Sequence, residues 1–205
     1  MQRNLYKLRW AKNYVMLQDI NRLLRTDKGK ADSDTQKAFG LGKLKAPYPQ
    51  VYEAKNGAVV KVSPFADESD LNKKLKSAIV IADNLGVSMN IRPHLEIQNH
   101  KNPEYEIKGN IADRKESISY TGIKKNLEYA KAQGVGTIVY DITDFKGWKA
   151  SDITKHLKGK ILNFKDKEWL REIFFINGDN AISFTRQELF TNFDDVLQKL
   201  ESLNK

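Results

Sequence analysis

Apolar residues recur at spacings of three and four between Leu71 and Leu85, which is the pattern of an amphipathic helix with one face in a core. Asp67 or Ser69 is placed to cap the start of this helix, and Gly86 directly follows its last apolar residue. This segment is the clearest helix in the sequence.

More strands and one more helix follow in a definite order. The segments are a strand in 87–97, two hairpin strands in 104–116, a helix over 122–133 and an apolar strand in 136–142. Pro93 marks an edge, bend or bulge in the first of these strands, and Gly134 ends the helix. The order from residue 66 to residue 142 is therefore helix, strand, strand, strand, helix, strand.

Further elements flank this central region. In chain order they are strands 50–54 and 58–63 around Asn56-Gly57, a short helix near 151–158, hairpin strands 171–176 and 181–186, and a final helix over 189–203. We expect a mixed α/β (α+β) fold with a C-terminal hairpin and helix around the central sheet.

The N-terminal part of the chain has a different character. Apolar residues in 3–25 follow a loose helical spacing among many basic residues, whereas residues 26–49 are rich in Lys, Gly, Asp and Ser and show no period. We expect residues 1–47 to form a basic helical segment and linker, and residues 48–205 to form the folded domain.

The charge balance favours a polyanionic partner. Lys and Arg number 35 against 26 Asp and Glu, which gives a formal net charge of +9. Nucleic acid is the natural candidate because basic side chains attract phosphates and release their counterions. A basic protein that binds no nucleic acid is the alternative, since the basic residues are scattered among acidic ones.

Composition also excludes several kinds of site. The chain has no Cys, so disulfides, thiolate zinc sites and a cysteine nucleophile are absent. No apolar run approaches the ~20 residues that cross a bilayer, and the N-terminus lacks the apolar region and cleavage site of a signal peptide. We expect a cytoplasmic protein with no membrane partner.

The predicted hairpin in 104–116 carries the most closely spaced group of candidate catalytic and metal-binding side chains. If its turn is Gly109-Asn110, Glu106 lies opposite Asp113 and Glu104 lies opposite Lys115. These four side chains then share one face, because opposed residues project to the same side of a sheet. The other face carries Tyr105, Ile107, Ala112 and Arg114.

A charged face of this kind suits a divalent metal. Glu106 beside Asp113 places like charges together, which costs several tenths of a kcal/mol unless a cation neutralises them. Mg²⁺ or Mn²⁺ binds hard oxygen ligands and leaves positions for water and a substrate phosphate. Lys115 would orient the attacking water or stabilise charge on the phosphate. The alternative is a solvated hairpin face in which Glu104 and Lys115 form an ordinary ion pair.

Together with the element order, Pro103-Glu104 and Asp113-Arg114-Lys115 resemble the two motifs of the PD-(D/E)XK nuclease superfamily. The resemblance covers about residues 66–142. It implies a restriction-endonuclease-like mixed sheet and metal-dependent phosphodiester cleavage. It also implies that Glu104 and Asp113 are metal ligands and Lys115 the catalytic lysine.

The acidic residues leave alternatives within this resemblance. The first motif usually has Asp where this chain has Glu104, so Glu106 competes with Glu104 as the metal ligand. Some members add an acid from the first helix, which here would be Glu68. An acid at that position also fits an interaction with the helix dipole.

More narrowly, residues 102–116 resemble nuclease toxin domains of contact-dependent growth inhibition and prophage proteins. Those domains act on tRNA or DNA. This resemblance implies that tRNA or DNA is the substrate and that an immunity protein is a candidate binding partner. The segment is also close to metal-independent ribonuclease toxins of the barnase, EndoU and colicin type. In that case His94 and His100 supply acid–base groups, and Lys115 or Arg114 binds phosphate.

The acidic hairpin face favours the metal-dependent nuclease over the metal-independent one. Three carboxylates around Lys115 repel an anionic substrate unless a cation intervenes. A third hypothesis is a non-catalytic nucleic-acid-binding module of a phage, in which the hairpin is scaffold and residues 3–25 contact phosphates.

Overall fold

Strands and helices alternate along the chain in a computed structural model that describes residues 42–95 and 101–204. The strands are β1 (Gln50–Glu53), β2 (Val59–Val62), β3 (Met89–Ile91), β4 (Tyr105–Ile107), β5 (Asn110–Glu116), β6 (Thr137–Asp141), β7 (Glu172–Asn177) and β8 (Asn180–Thr185). The main helices are α1 (Leu71–Leu85), α2 (Tyr120–Gln133), α3 (Ala150–Ile161), α4 (Arg186–Thr191) and α5 (Phe193–Ser202). None of the described helices is long and apolar enough to span a membrane.

The eight described strands form one mixed sheet in which each strand lies beside its neighbour in sequence. The pairs β2–β3, β5–β6 and β6–β7 are parallel, and α1, α2 and α3 connect them. The other neighbouring pairs are antiparallel. The mixed α/β class is confirmed, and the elements from α1 to β6 follow the predicted order.

Each face of the sheet has its own hydrophobic core. Successive side chains of a strand point to opposite faces, so β6 and β7 contribute to both cores. Val139 and Phe174 pack in the core that contains α1. Ile138 and Phe175 pack in the core that contains α2, α3 and α5. The central strands are therefore buried on both sides.

The helix α1 has the predicted extent but not the predicted N-cap. Asp70 is the N-cap residue, with φ −131° and no side-chain capping bond, so the prediction of Asp67 or Ser69 is wrong. The reason is local: the Asp67 carboxylate accepts the backbone N–H of Ser69 at 3.0 Å and forms its own turn. Gly86 ends the helix in the left-handed conformation, as predicted.

The C-terminal region differs from the single helix predicted over 189–203. It consists of α4 and α5, which are separated at Asn192. Asn192 has φ −141°, and its side chain accepts the backbone N–H of Asp195 at 3.3 Å, so it caps α5 and interrupts the run. The helix predicted near 151–158 is longer than expected, since α3 extends over Ala150–Ile161.

The N-terminal prediction falls largely outside the described residues. This applies to the basic helix over 3–25 and to most of the linker over 26–49. Within that linker, residues 42–45 form a helical turn. The sequence did not predict this turn, because the apolar residues of the linker show no helical spacing.

The junction before β6 gives a test of the fold. A Cβ at Gly136 would lie 2.5 Å from the backbone oxygen of Trp169, so Gly136→Ala should lower the free energy of unfolding by about 1–3 kcal/mol. Gly159→Ala is the matched control, because its Cβ meets nothing within 4 Å on the exposed side of α3. The control should raise stability by up to about 1 kcal/mol. Urea denaturation measures both, and equal effects would contradict this packing.

Candidate active site

The turn between β4 and β5 sets the register of the hairpin. Lys108 and Gly109 occupy the turn with φ of 51° and 74°, the two positive values that a type I′ turn requires. Ile107 pairs with Asn110 and Tyr105 with Ala112. The predicted turn at 109–110 is therefore wrong by one residue, and so are the predicted pairs of Glu106 with Asp113 and Glu104 with Lys115.

The shift leaves the composition of the two hairpin faces unchanged. It moves each cross-strand partner by two residues, and the side-chain period of a strand is also two. Continuing the observed register beyond Tyr105 brings Glu104 opposite Asp113. Tyr105 and Ala112 are fully buried on the α1 side, where Arg114 also points and donates from Nε to the Ser77 hydroxyl at 2.8 Å.

Asp113 and Lys115 form a close pair on the opposite side of β5. The two atoms Asp113 Oδ2 and Lys115 Nζ are 2.5 Å apart. Asp113 is only 3% exposed, while the Lys115 side chain keeps 22% of its surface accessible. The strand thus holds a buried carboxylate against a lysine that reaches solvent.

Glu104 directly precedes β4, and its carboxylate is largely removed from water. Its Oε1 is 3.8 Å from Lys74 Nζ, and its buried Oε2 has no hydrogen-bond partner among the described residues. Desolvation raises the pKa of Glu104 to about 7. The negative charges of Asp113 and Asp70 act in the same direction, and Lys74 opposes them.

Lys74 and Asp70 belong to this cluster, and the sequence analysis missed both. The buried ammonium of Lys74 is 2.5 Å from Asp70 Oδ1 and 3.9 Å from Asp67 Oδ2. A signal for Lys74 existed, because it lies three residues after Leu71 on the apolar face of α1. A lysine at such a position needs carboxylate partners in the core.

Two other predicted acids lie apart from the close contacts of the cluster. Glu68 is exposed before the start of α1, and Asp70 instead takes the place near Glu104. Glu106 pairs with Ile111 and with Asn90 of β3, and its charge acts on Arg92 and Tyr48. The geometry therefore brings together Glu104, Asp113 and Lys115, and it adds Lys74 and Asp70.

The predicted acid–base histidines have different outcomes. His94 lies at the margin of the cluster, where its Nδ1 is 4.0 Å from Asp67 Oδ2 and its Nε2 is 3.5 Å from Asn102 Nδ2. His100 lies outside the described residues. Arg114, the alternative phosphate ligand, faces the other side of β5 and bonds Asp141 at 2.7 Å.

Within the described residues, no group of three acidic or histidine side chains is arranged to hold a metal ion. Glu104 and Asp113 are two carboxylates close enough for the charge of Asp113 to raise the pKa of Glu104. Comparison with protein-family models, with curated proteins and with solved structures gave no match.

The raised pKa of Glu104 predicts a dependence of stability on pH. Between pH 4.5 and about 7 the folded protein keeps a proton that the unfolded chain loses, so the free energy of unfolding should fall as pH rises. The full contribution is up to about 3 kcal/mol. Glu104→Gln should remove this part of the pH dependence, measured by urea denaturation without divalent ions.

Glu201→Gln is the control, because Glu201 is an exposed glutamate on α5. It should leave the pH profile of the parent protein unchanged. A Glu104→Gln profile identical to that of the parent would mean that Glu104 is not desolvated in the folded protein.

Proposed function

We propose that this chain is a nuclease that hydrolyses phosphodiester bonds of nucleic acid with a bound Mg²⁺ or Mn²⁺ ion. The observation that carries the proposal is the cluster itself: the buried Asp113 carboxylate contacts Lys115, and its charge acts on the largely desolvated carboxylate of Glu104. The element order α1–β3–β4–β5–α2–β6 supports it, since it resembles the order of helices and strands in the core of PD-(D/E)XK nucleases. The restriction-endonuclease-like core is part of the same proposal.

The donor set fits a divalent ion of this kind. Mg²⁺ is usually held by one or two carboxylates, with water and substrate phosphate completing the octahedron. Glu104 offers a buried oxygen without a partner, and Asp113 raises the pKa of Glu104 by its negative charge. A cation beside both carboxylates would favour their ionised forms. When bound there, the ion would polarise the scissile phosphate and lower the pKa of a bound water.

The lysines have different parts in this scheme. Lys115 is the one that reaches solvent beside Asp113, so it is placed to donate hydrogen bonds to an attacking water or to a phosphate oxygen as negative charge develops. Lys74 is buried and contacts Asp70 and Glu104, so we assign it to positioning those carboxylates. Lys115 is therefore the proposed catalytic lysine.

The substrate and partners follow from charge and from the resemblance. A net charge of +9 favours a polyanion at long range. The resemblance to toxin domains makes tRNA or DNA the proposed substrate and an immunity protein a proposed partner. Action in the cytoplasm of the producing or target cell fits both substrates.

His94 supports a second candidate, a metal-independent ribonuclease. Its imidazole Nδ1 lies 4.0 Å from Asp67, which is 3.9 Å from Lys74, so a histidine and a lysine border the same carboxylate at the margin of the cluster. Such a site would use His94 as an acid–base group and Lys115 as a phosphate ligand. Glu104 and Asp113 disfavour it, because without a cation they repel the phosphate.

The first test replaces Asp113 or Lys115, the ion pair on β5. Asp113→Asn or Lys115→Ala should reduce cleavage of tRNA or DNA by at least about a hundredfold, because each removes a charge that the reaction requires. Lys155→Ala is the control, an exposed lysine on α3 away from the cluster. Circular dichroism and urea denaturation check that each variant folds. Cleavage at the parent rate by either site variant would remove this site from consideration.

The second test addresses the metal. Purified chain is incubated with tRNA, single-stranded DNA and duplex DNA, each with Mg²⁺, Mn²⁺ or EDTA. We expect EDTA to abolish cleavage, Mn²⁺ or Mg²⁺ to restore it, and His94→Ala to retain it, because the proposed chemistry does not use His94. Cleavage of RNA that resists EDTA and is lost in His94→Ala would establish the metal-independent class. Binding without cleavage under all conditions would indicate a nucleic-acid-binding module.

A further inference from the structure

A cleft lined by charged and apolar side chains lies on the α1 side of the sheet, at the carboxyl ends of the parallel strands β5, β6 and β7. Its volume is about 270 Å³, and α1 forms one of its walls. Ligands of open α/β sheets bind in crevices outside the carboxyl ends of their strands. The cleft therefore occupies the position in the sheet where a ligand site is expected.

The cleft adjoins the candidate active site through β5. Asp113 and Lys115 project from one face of this strand, whereas Arg114 and Glu116 project from the other face and line the cleft. Lys73 also lines the cleft, next in sequence to the Lys74 of the carboxylate cluster. Lys115 and Glu116 are the last two residues of β5, so the proposed catalytic lysine and the cleft lie on opposite faces at the same end of this strand.

Arg114 is a fixed hydrogen-bond donor in the wall of the cleft. Its Nε donates to Ser77 at 2.8 Å, and its Nη2 donates to Asp141 at 2.7 Å and to Glu116 at 3.0 Å. Among the described residues, none accepts a hydrogen bond from Nη1. The guanidinium is thus held in one orientation with two N–H donors left for a ligand.

The charges of the cleft favour a neutral polar group over a bare anion. Three cationic residues line it, and three carboxylates balance them: Lys73, Lys76 and Arg114 against Glu116, Asp141 and Asp144. Apolar surface comes from Val80, Ile118 and Ile176. Ile118 is 70% exposed, which leaves a large apolar side chain uncovered at this site.

A planar group with apolar faces and a polar edge matches these walls. We propose that the cleft is a nucleobase-binding subsite that holds one base of the substrate beside the scissile phosphate. The volume is below the roughly 300–1,000 Å³ of pockets for drug-sized ligands, so it suits a single base. This inference rests on the proposed nuclease function and adds to it a substrate class.

That class is single-stranded or looped nucleic acid. A base inside a duplex is stacked and paired, so it enters a pocket only after it leaves the helix. Bases in loops and single strands are already free to do so, and proteins read them by stacking and by hydrogen bonds to their edges. A tRNA loop therefore fits the cleft better than duplex DNA.

The test measures binding apart from cleavage. The four nucleoside 5′-monophosphates are titrated into the full chain by NMR and calorimetry. At least one should bind, with amide shifts around the cleft. Lys76→Ala and Ile118→Ser should each weaken it by several fold, and together by about tenfold, since both side chains are exposed and their loss leaves the fold intact. Lys155→Ala is the control and should bind as the parent does.

Cleavage of short oligonucleotides separates this inference from the proposed function. The cleft variants should raise KM and change the base preferred at the cut, with a smaller change in kcat, whereas Asp113→Asn should lose kcat and still bind the monophosphate. Binding of a monophosphate in the cleft without any cleavage would support the subsite and contradict the proposed nuclease function. Cleavage with no monophosphate binding, or with the same base preference in the cleft variants, would overturn the subsite and leave the nuclease standing.

Discussion

The need to pair charges that the fold removes from water governs the region around β5. This strand lies inside the sheet, between β4 and β6, yet it carries Asp113, Arg114 and Lys115 in succession. A buried charge without a partner costs several kcal/mol, so each of these groups must find an opposite charge. Asp113 pairs with Lys115, and Arg114 pairs with Asp141. The Oε2 atom of Glu104 remains without a partner in the described structure, and this makes the cluster a candidate site.

The sequence predicts the faces of the hairpin better than its register. A two-residue turn with positive φ at both positions could be placed at 108–109 or at 109–110, because Gly109 serves in either. Asn tolerates positive φ better than Lys, and this preference favours a turn at 109–110. Lys108 adopts it nevertheless, and the Asn110 side chain bonds the Lys108 carbonyl at 3.2 Å. Either register buries Tyr105, so the apolar pattern does not distinguish them.

Contacts between distant segments account for what the sequence did not reveal. The spacing of apolar residues predicts α1 well, yet it does not show that Lys74 meets Glu104, which lies 30 residues later on another element. The break between α4 and α5 is also not visible in the spacing of apolar residues. Leu189, Val196 and Leu200 are all buried at spacings compatible with one helix. The Asn192 side chain accepts the backbone N–H of Asp195, and this local bond overrides that pattern. Periodicity therefore gives the elements, while the site depends on their tertiary partners.

The charge of the cluster is opposite to that of the whole chain. When Glu104 is ionised, Asp70, Glu104 and Asp113 bring three negative charges against the two positive charges of Lys74 and Lys115, so the cluster carries about −1 within a chain of +9. The chain as a whole attracts a polyanion over a distance, whereas this cluster repels a phosphate at close range. A divalent cation would change the local charge to about +1 and make it attractive to a phosphodiester. The Glu104 carboxylate, whose burial lowers the stability of the fold as pH rises towards 7, would then give the proposed site its dependence on metal.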